Sequence, residues 1–384
     1  MERLKAFNPS RLRWCMDDAL ISSSDLSSRI SISESVINKA LHGEVGLTFA
    51  QVQKLGQFFG RTPLFYLQPS PVEQVEISTP EFRTLKNKLH NLSPQTKKIV
   101  ELVERHRQLY VDLLDELSYS PPALFSPPPT ESLPPDEVAS LARAWLGITV
   151  ENTFDAYRKA IEKHGVLVFR TNGYNGKWKI PQSDQVIGFS LFHSQYPVVV
   201  VRKDPSEARQ LFTLAHELGH ILLFKESTVD GPESLVSHAG KERLANQFAS
   251  HFLLPSLSLS QINCDSLPRD PSQLDRELRP YRRMWGVSSD VILIRLIEEN
   301  RLQQLIYDNF VKWRDEYQPD ETTVSAGSRA WRYREPLHIF GDLYVRTVLQ
   351  ALEEKKLTLI KASRYLDDLK LPALKQLESH CASH

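Results

Sequence analysis

Residues 209–225 read Arg209-Gln210-Leu211-Phe212-Thr213-Leu214-Ala215-His216-Glu217-Leu218-Gly219-His220-Ile221-Leu222-Leu223-Phe224-Lys225. Within them His216-Glu217-Leu218-Gly219-His220 has the spacing H-E-x-x-H. The flanking Leu211, Phe212, Leu214, Ala215, Leu218, Ile221 and Leu222 keep a helical beat, which predicts a helix with an apolar face in a core. On a helix, residues four apart lie one turn apart on the same side. His216 and His220 can therefore offer two imidazoles to one metal ion. Glu217 directly follows the first and can reach a water held by that ion. This is the arrangement of zinc-dependent peptidases. Gly219 inside the helix costs ~1 kcal/mol relative to alanine. A segment passing close to the helix would explain that cost.

Two histidines rarely suffice, because a catalytic zinc site takes three protein ligands and leaves a fourth position for water. Downstream, Leu244, Ala245, Phe248, Ala249, Phe252 and Leu253 mark a second apolar-faced helix, stopped by Pro255. Glu242 stands near its start, and Asn246 shares its face one turn later. Glu242 as third ligand, with Asn246 hydrogen-bonded behind a ligand, is a coherent reading. Glu233 and His238, in the 226–239 loop, are rivals, and periodicity does not choose among them. Upstream, helices are predicted over 136–146 and 153–164. Strands follow at 166–169, 186–192 and 197–201, where the period changes and β-branched residues gather. A small sheet thus lies beside the metal helix, and an edge strand could hold a peptide by strand addition.

The 384 residues suggest two or three domains. Lys+Arg and Asp+Glu are both 47, so the whole chain exerts no long-range pull on nucleic acid. Cys15, Cys264 and Cys381 are scattered and odd in number, which fits a reduced, cytoplasmic compartment rather than a disulfide framework. The N-terminal residues carry no apolar signal-peptide core, and no run is long enough to span a bilayer, so no membrane role is expected.

Around this centre the chain divides into four stretches. Residues 1–68 read as short helices at 9–20, 24–30, 33–41 and 48–59. Asp25 to Gly43 resembles a phage-repressor-like (Xre-type) helix-turn-helix. The resemblance makes 33–41 the recognition helix, with Ser33, Ser35, Asn38 and Lys39 as contacts to DNA or to a partner. Residues 1–70 hold eight Lys/Arg against six Asp/Glu, a thin supply for phosphate neutralisation. Residues 69–135 form a connector with a long helix at 95–118 and a Pro-rich strap. Residues 136–262 carry the metal motif. Residues 263–384 read as a helical region for substrate or partner recognition, with no catalytic motif of its own. His106, His164 and His193 read as surface or helix-face residues.

Thr213 to His220, then Glu242-x-x-Ala245-Asn246-x-Phe248-Ala249 and Leu253-Leu254-Pro255, resemble the ImmA/IrrE family of metallopeptidases. Ile187-Gly188-Phe189-Ser190 and Pro197 to Val200 also look like that family's strands. The resemblance implies Zn2+ bound by His216, His220 and Glu242, with Glu217 as the catalytic glutamate. Phe224 departs from the pattern, standing where members often have a histidine. The implied fold is multidomain and mainly helical: an all-α helix-turn-helix domain, an α+β zincin-like peptidase domain with a small sheet, and a helical C-terminal region. The implied activity is site-specific cleavage of a repressor-like or antitoxin protein, with duplex DNA or a second copy of the chain as further partners. His238, His251 or a tyrosine would supply a second donor to the oxyanion. The competing classes are a DNA-binding regulator whose metal domain senses or scaffolds, and a toxin–antitoxin interaction protein without proteolysis.

Overall fold

The structure, a computed structural model, describes residues 3–4, 6–18, 21–44, 46–59, 61–70, 92–117, 124–149, 152–172, 176–237, 239–317 and 329–383. They form two compact units: Met1–Arg105 with Lys177–Asp184, and His106–Gly176 with Gln185–His384. Among the described residues no helix is long and apolar enough to cross a membrane.

The first unit is helical. Helices Pro9–Asp18, Ser23–Ile30, Glu34–Leu41 and Phe49–Phe58 precede a short 3-10 turn, Pro63–Leu67. Local chemistry sets their ends. The Ser22 side chain accepts from the Asp25 N–H, and Thr48 and Gln51 form a reciprocal capping box. Ser31 adopts a left-handed conformation that stops the second helix, and Glu34 starts the third after only Ser31-Ile32-Ser33. Leu12, Leu26, Ile37, Ala40, Val52, Leu55 and Tyr66 close the core between these helices.

The second unit is built around a four-stranded sheet: β1 (Leu167–Arg170), β2 (Gly188–Leu191), β3 (Val198–Val201) and β4 (Thr228–Asp230), in the order β1-β3-β2-β4. β1 and β3 are parallel, with Leu167 opposite Val198. β2 runs antiparallel to both β3 and β4. The four consecutive valines of β3 are all buried, as a central strand covered on both faces requires.

The helix Glu207–Phe224 follows β3 and packs on β2, β3 and the helix Gly240–Leu253, which in turn packs on the helix Pro135–Leu146. Gly219 lies at the crossing of the two central helices. A Cβ there would come within 2.9 Å of Phe248 Cδ1 and 3.6 Å of Ala245 Cα. The helix-interior glycine is thus the condition for the close approach of the two helices. Arg295, 1 % exposed, donates to Leu254 O at the end of Gly240–Leu253 and pairs with Glu298 and Glu299. Helices Pro271–Trp285, Ser289–Glu298 and Gln304–Tyr317 extend the same core through Leu274, Leu278, Ile292, Leu296 and Phe310.

Near the C-terminus the helix Glu335–Glu353 breaks at Gly341, where φ is 82°, and its first half carries Pro336 in the first turn, where the missing N–H is harmless. A further helix, Leu371–Ala382, closes the chain. His106 is buried rather than at a surface, its Nδ1 lying 2.7 Å from the Tyr344 hydroxyl and its ring against Phe340. The polar residues 318–330 read from the sequence as a loop, and all but 329 and 330 lie outside the described residues.

Candidate metal centre

The sequence around His216 dictates a helix buried nearly all round: Gln210, Leu211 and every residue from Thr213 to Leu222 are buried. Ser206 caps it by accepting from the Arg209 N–H. His216, Glu217 and His220 are 0 %, 0 % and 1 % exposed. The two imidazoles face each other, with Nε2 atoms 3.1 Å apart.

Glu242, in the first turn of Gly240–Leu253, reaches the same point. Its Oε2 lies 3.3 Å from His216 Nε2 and 3.4 Å from His220 Nε2. Asp230, the last residue of β4, brings Oδ2 to 3.8 Å and 3.7 Å from the same nitrogens. The four donor atoms of His216, His220, Asp230 and Glu242 all lie within 4.8 Å of one another.

The hydrogen bonds show what this group lacks. Asn246 Nδ2 donates to Ser234 O (2.9 Å) and Ser237 O (3.3 Å), which fixes the amide so that Oδ1 faces His216 Nδ1 at 2.8 Å. His216 therefore carries its proton on Nδ1 and turns the Nε2 lone pair inward. Asp230 Oδ2 and Glu242 Oε2 are buried without a hydrogen-bond partner. Lone pairs and carboxylates gathered in a buried place repel unless a cation lies among them. Five of the six separations, 3.1–3.8 Å, lie close to the edges of roughly 3.3–3.6 Å expected for metal–ligand bonds of about 2.0–2.2 Å, and the sixth, between Asp230 and Glu242, is within 4.8 Å. The residues present fit a divalent ion with nitrogen and oxygen ligands.

Glu217 lies between this group and the sheet. Its Oε2 accepts from Thr228 Oγ1 at 3.0 Å, and Thr228 in turn contacts Ser190 Oγ at 2.8 Å. Space for the carboxylate exists because residue 188 is glycine: a Cβ there would stand 2.8 Å from Glu217 Oε1 and 2.6 Å from Thr213 Cγ2. Burial, reinforced by the neighbouring Asp230 carboxyl, pushes the Glu217 carboxyl well above the ordinary range. Burial also opposes ionisation of Glu242, but the His216 and His220 imidazoles beside it outweigh this and hold that carboxyl low. A bound cation would favour the ionised form of both.

The remaining candidates lie elsewhere. Glu233 is exposed, its carboxylate folded over Gly231, and it does not join the donor group. His238 lies outside the described residues. His251 Nε2 is engaged by Glu298 at 3.4 Å and by Arg295 at 3.2 Å. His193 is buried but is not one of the four donors. Phe224 sits 5.7 Å from the His220 ring and under the Lys241 ammonium. Ser33, just ahead of Glu34–Leu41 in the first unit, and Ser35 and Lys39 on that helix are exposed, with Asn38 half-buried. Asp230 is the member that sequence reading missed. Its only signal is a carboxylate closing the β-prone Ser227-Thr228-Val229 ahead of Gly231.

Residues 161–296 match the family model of the IrrE N-terminal-like domain, Peptidase_M78. The matched segment is about a third of the chain and holds all four strands, the metal helix and the glutamate helix. No curated protein matches the chain. Peptidase_M78 is a metallopeptidase family, so the match and the donor group together support a peptidase centred on these residues.

Proposed function

We propose that this chain is a zinc-dependent endopeptidase that cuts a repressor-like or antitoxin partner at a defined site. The observation that carries the reading is the convergence of the His216, His220 and Glu242 donors beside a buried carboxylate, Glu217, on the same helix. The two imidazoles and the Glu242 carboxylate would hold the ion, a donor set suited to zinc. When bound, zinc polarises the scissile carbonyl and lowers the pKa of water.

The other parts belong to the chain. Asn246 holds the His216 tautomer. Glu217 takes the proton of the attacking water and delivers it to the leaving amine. Thr228 and Ser190 orient the Glu217 carboxylate. Residues 1–68 supply target recognition through the exposed side of Glu34–Leu41. The near balance of charge there favours a protein partner over duplex DNA.

Glu217→Gln should keep the metal and lose hydrolysis by about 10²–10⁴-fold. New protein N-termini would be compared in native cells expressing wild type or Glu217→Gln at equal level. One or a few cuts made only by wild type would name the substrate. Identical termini in both, with zinc measured in both proteins, would overturn the proteolytic reading.

A further inference from the structure

We infer that Asp230 is a fourth protein ligand, which closes the metal's coordination in this conformation, so that water and a substrate carbonyl reach the ion only after Asp230 leaves. The inference rests on the metal-site reading above and concerns how that site is controlled. Its basis is a buried carboxylate oxygen turned toward two imidazoles. Asp230 is 4 % exposed, and its Oδ2 has no hydrogen-bond donor. The Asp230 carboxyl neighbours and hydrogen-bonds that of Glu217, and its ion-pair contacts are the two imidazole Nε2 atoms, at 3.8 and 3.7 Å. Burying such a group without a cation is strongly unfavourable.

The strand holds it there. Asp230 O accepts from the Ile187 N–H at 2.9 Å, and Asp230 stands opposite Gly188 in the ladder. Alternation along a strand puts Thr228 and Asp230 on one face. That face serves the site twice, with the Thr228 hydroxyl on Glu217 and the Asp230 carboxylate on the metal donors. Closed sets of four protein ligands mark structural zinc, whereas catalytic zinc keeps one position open. A peptidase with four convergent donors must therefore release one. Asp230 lies 0.3–0.5 Å farther from the imidazoles than Glu242 does, by the differences 3.7 − 3.4 and 3.8 − 3.3 Å, and it sits on a three-residue strand at the sheet edge. It is the member best placed to leave.

The test uses the full-length protein loaded with Co2+, whose visible absorption reports coordination, and thiocyanate as an added ligand. Asp230→Asn keeps the shape and the backbone pairing of β4 and weakens only the ligand; Asp230→Ala serves as a second variant. The wild-type spectrum should resist thiocyanate concentrations that shift both variants, and metal affinity should fall at least about tenfold in both. Variants that match wild type in spectrum, thiocyanate response and affinity would overturn the inference while leaving the three-ligand site intact. A wild-type chain that takes up neither Co2+ nor Zn2+ would overturn both this inference and the metal reading beneath it.

Discussion

The second unit buries two polar clusters that solve the same problem in opposite ways. Arg158 and Glu162, each 3 % exposed, pair at 3.1 Å one turn apart on the helix Phe154–Glu162. The Arg158 guanidinium donates to the carbonyls of Leu337, His338 and Ile339, and also to Val168 O of β1. Glu162 Oε2 accepts from the Leu343 N–H. The helix Glu335–Glu353 breaks at Gly341 between these contacts, so the cation caps the end of one half and the anion the start of the other. That cluster is balanced by its own residues. The metal donors, three buried and Glu242 half-buried, bring two imidazoles and two carboxylates together with Glu217 alongside, and the donor group itself includes no fixed cation among the described residues. The first cluster needs nothing from solution, whereas the second is complete only with a cation.

The largest effect expected from this contrast is on stability. Arg158→Met leaves Glu162 buried without its partner and should cost about 3–5 kcal/mol. Removing the metal should also destabilise, by about 2.7 kcal/mol relative to a metal concentration a hundredfold above Kd. If the clusters are independent, the loss on chelation is the same in wild type and Arg158→Met, within about 0.5 kcal/mol. Denaturant titration of both proteins, with and without chelator, measures this. A chelation effect that vanished in Arg158→Met would break the comparison and couple the two sites.

The same contrast explains what could be read from the chain alone. His216, Glu217 and His220 are contiguous, and helical geometry brings their side chains together without long-range information. Glu242 and Asn246 are legible as a pair for the same reason, although choosing Glu242 over Glu233 needs the fold. Asp230 is not legible, because three residues are too short a run for a period-2 pattern and its place depends on pairing with β2 some forty residues upstream. The Arg158–Glu162 cluster is equally hidden. Its spacing reads as an ordinary surface pair, yet its partners at 337–343 lie about 180 residues away. The burial of His106 against Tyr344 is long-range in the same way. The strand, metal-helix and glutamate-helix order was readable, since each repeats its own period.

A second, smaller effect should appear with pH beside the balanced cluster. His338 Nδ1 lies 2.8 Å from Arg170 Nη2 and its Nε2 lies 3.1 Å from Thr171 O, so the ring is neutral with its proton on Nε2. Burial, then the charges of Arg170 and Arg158, push its pKa down to about 3. The unfolded chain takes up this proton below about 6.5 and the folded one does not. The contribution is therefore fully present above about pH 6.5 and is lost as pH falls toward 3. Between pH 7 and pH 5 this contribution should fall by about 2 kcal/mol, while Glu162, whose carboxyl burial raises to about 7, contributes in the opposite sense over the same window. The stability difference between wild type and His338→Gln, both measured as chelated protein so that metal release does not intrude, isolates the His338 part and should change by that amount. A difference that does not change with pH would mean that the ring titrates alike in the folded and unfolded chain.

The smallest effect sharpens the metal side of the comparison. Asn246 touches no metal donor atom, yet it selects which nitrogen of His216 faces the centre and ties that choice to Ser234 and Ser237 of the following segment. Without it, the proton of His216 can move to Nε2, the atom that must be free to bind. Asn246→Ala should weaken zinc affinity about tenfold, or about 1.4 kcal/mol. Asn246→Asp keeps an acceptor at Nδ1 and should recover most of that affinity, while the stability of the chelated protein distinguishes a lost tautomer from a lost fold. Chelator competition on the three proteins decides the point. Equal affinity in Asn246→Ala and wild type would mean that the convergence of the four donors alone sets the tautomer, and that the amide serves only to hold the 232–237 segment.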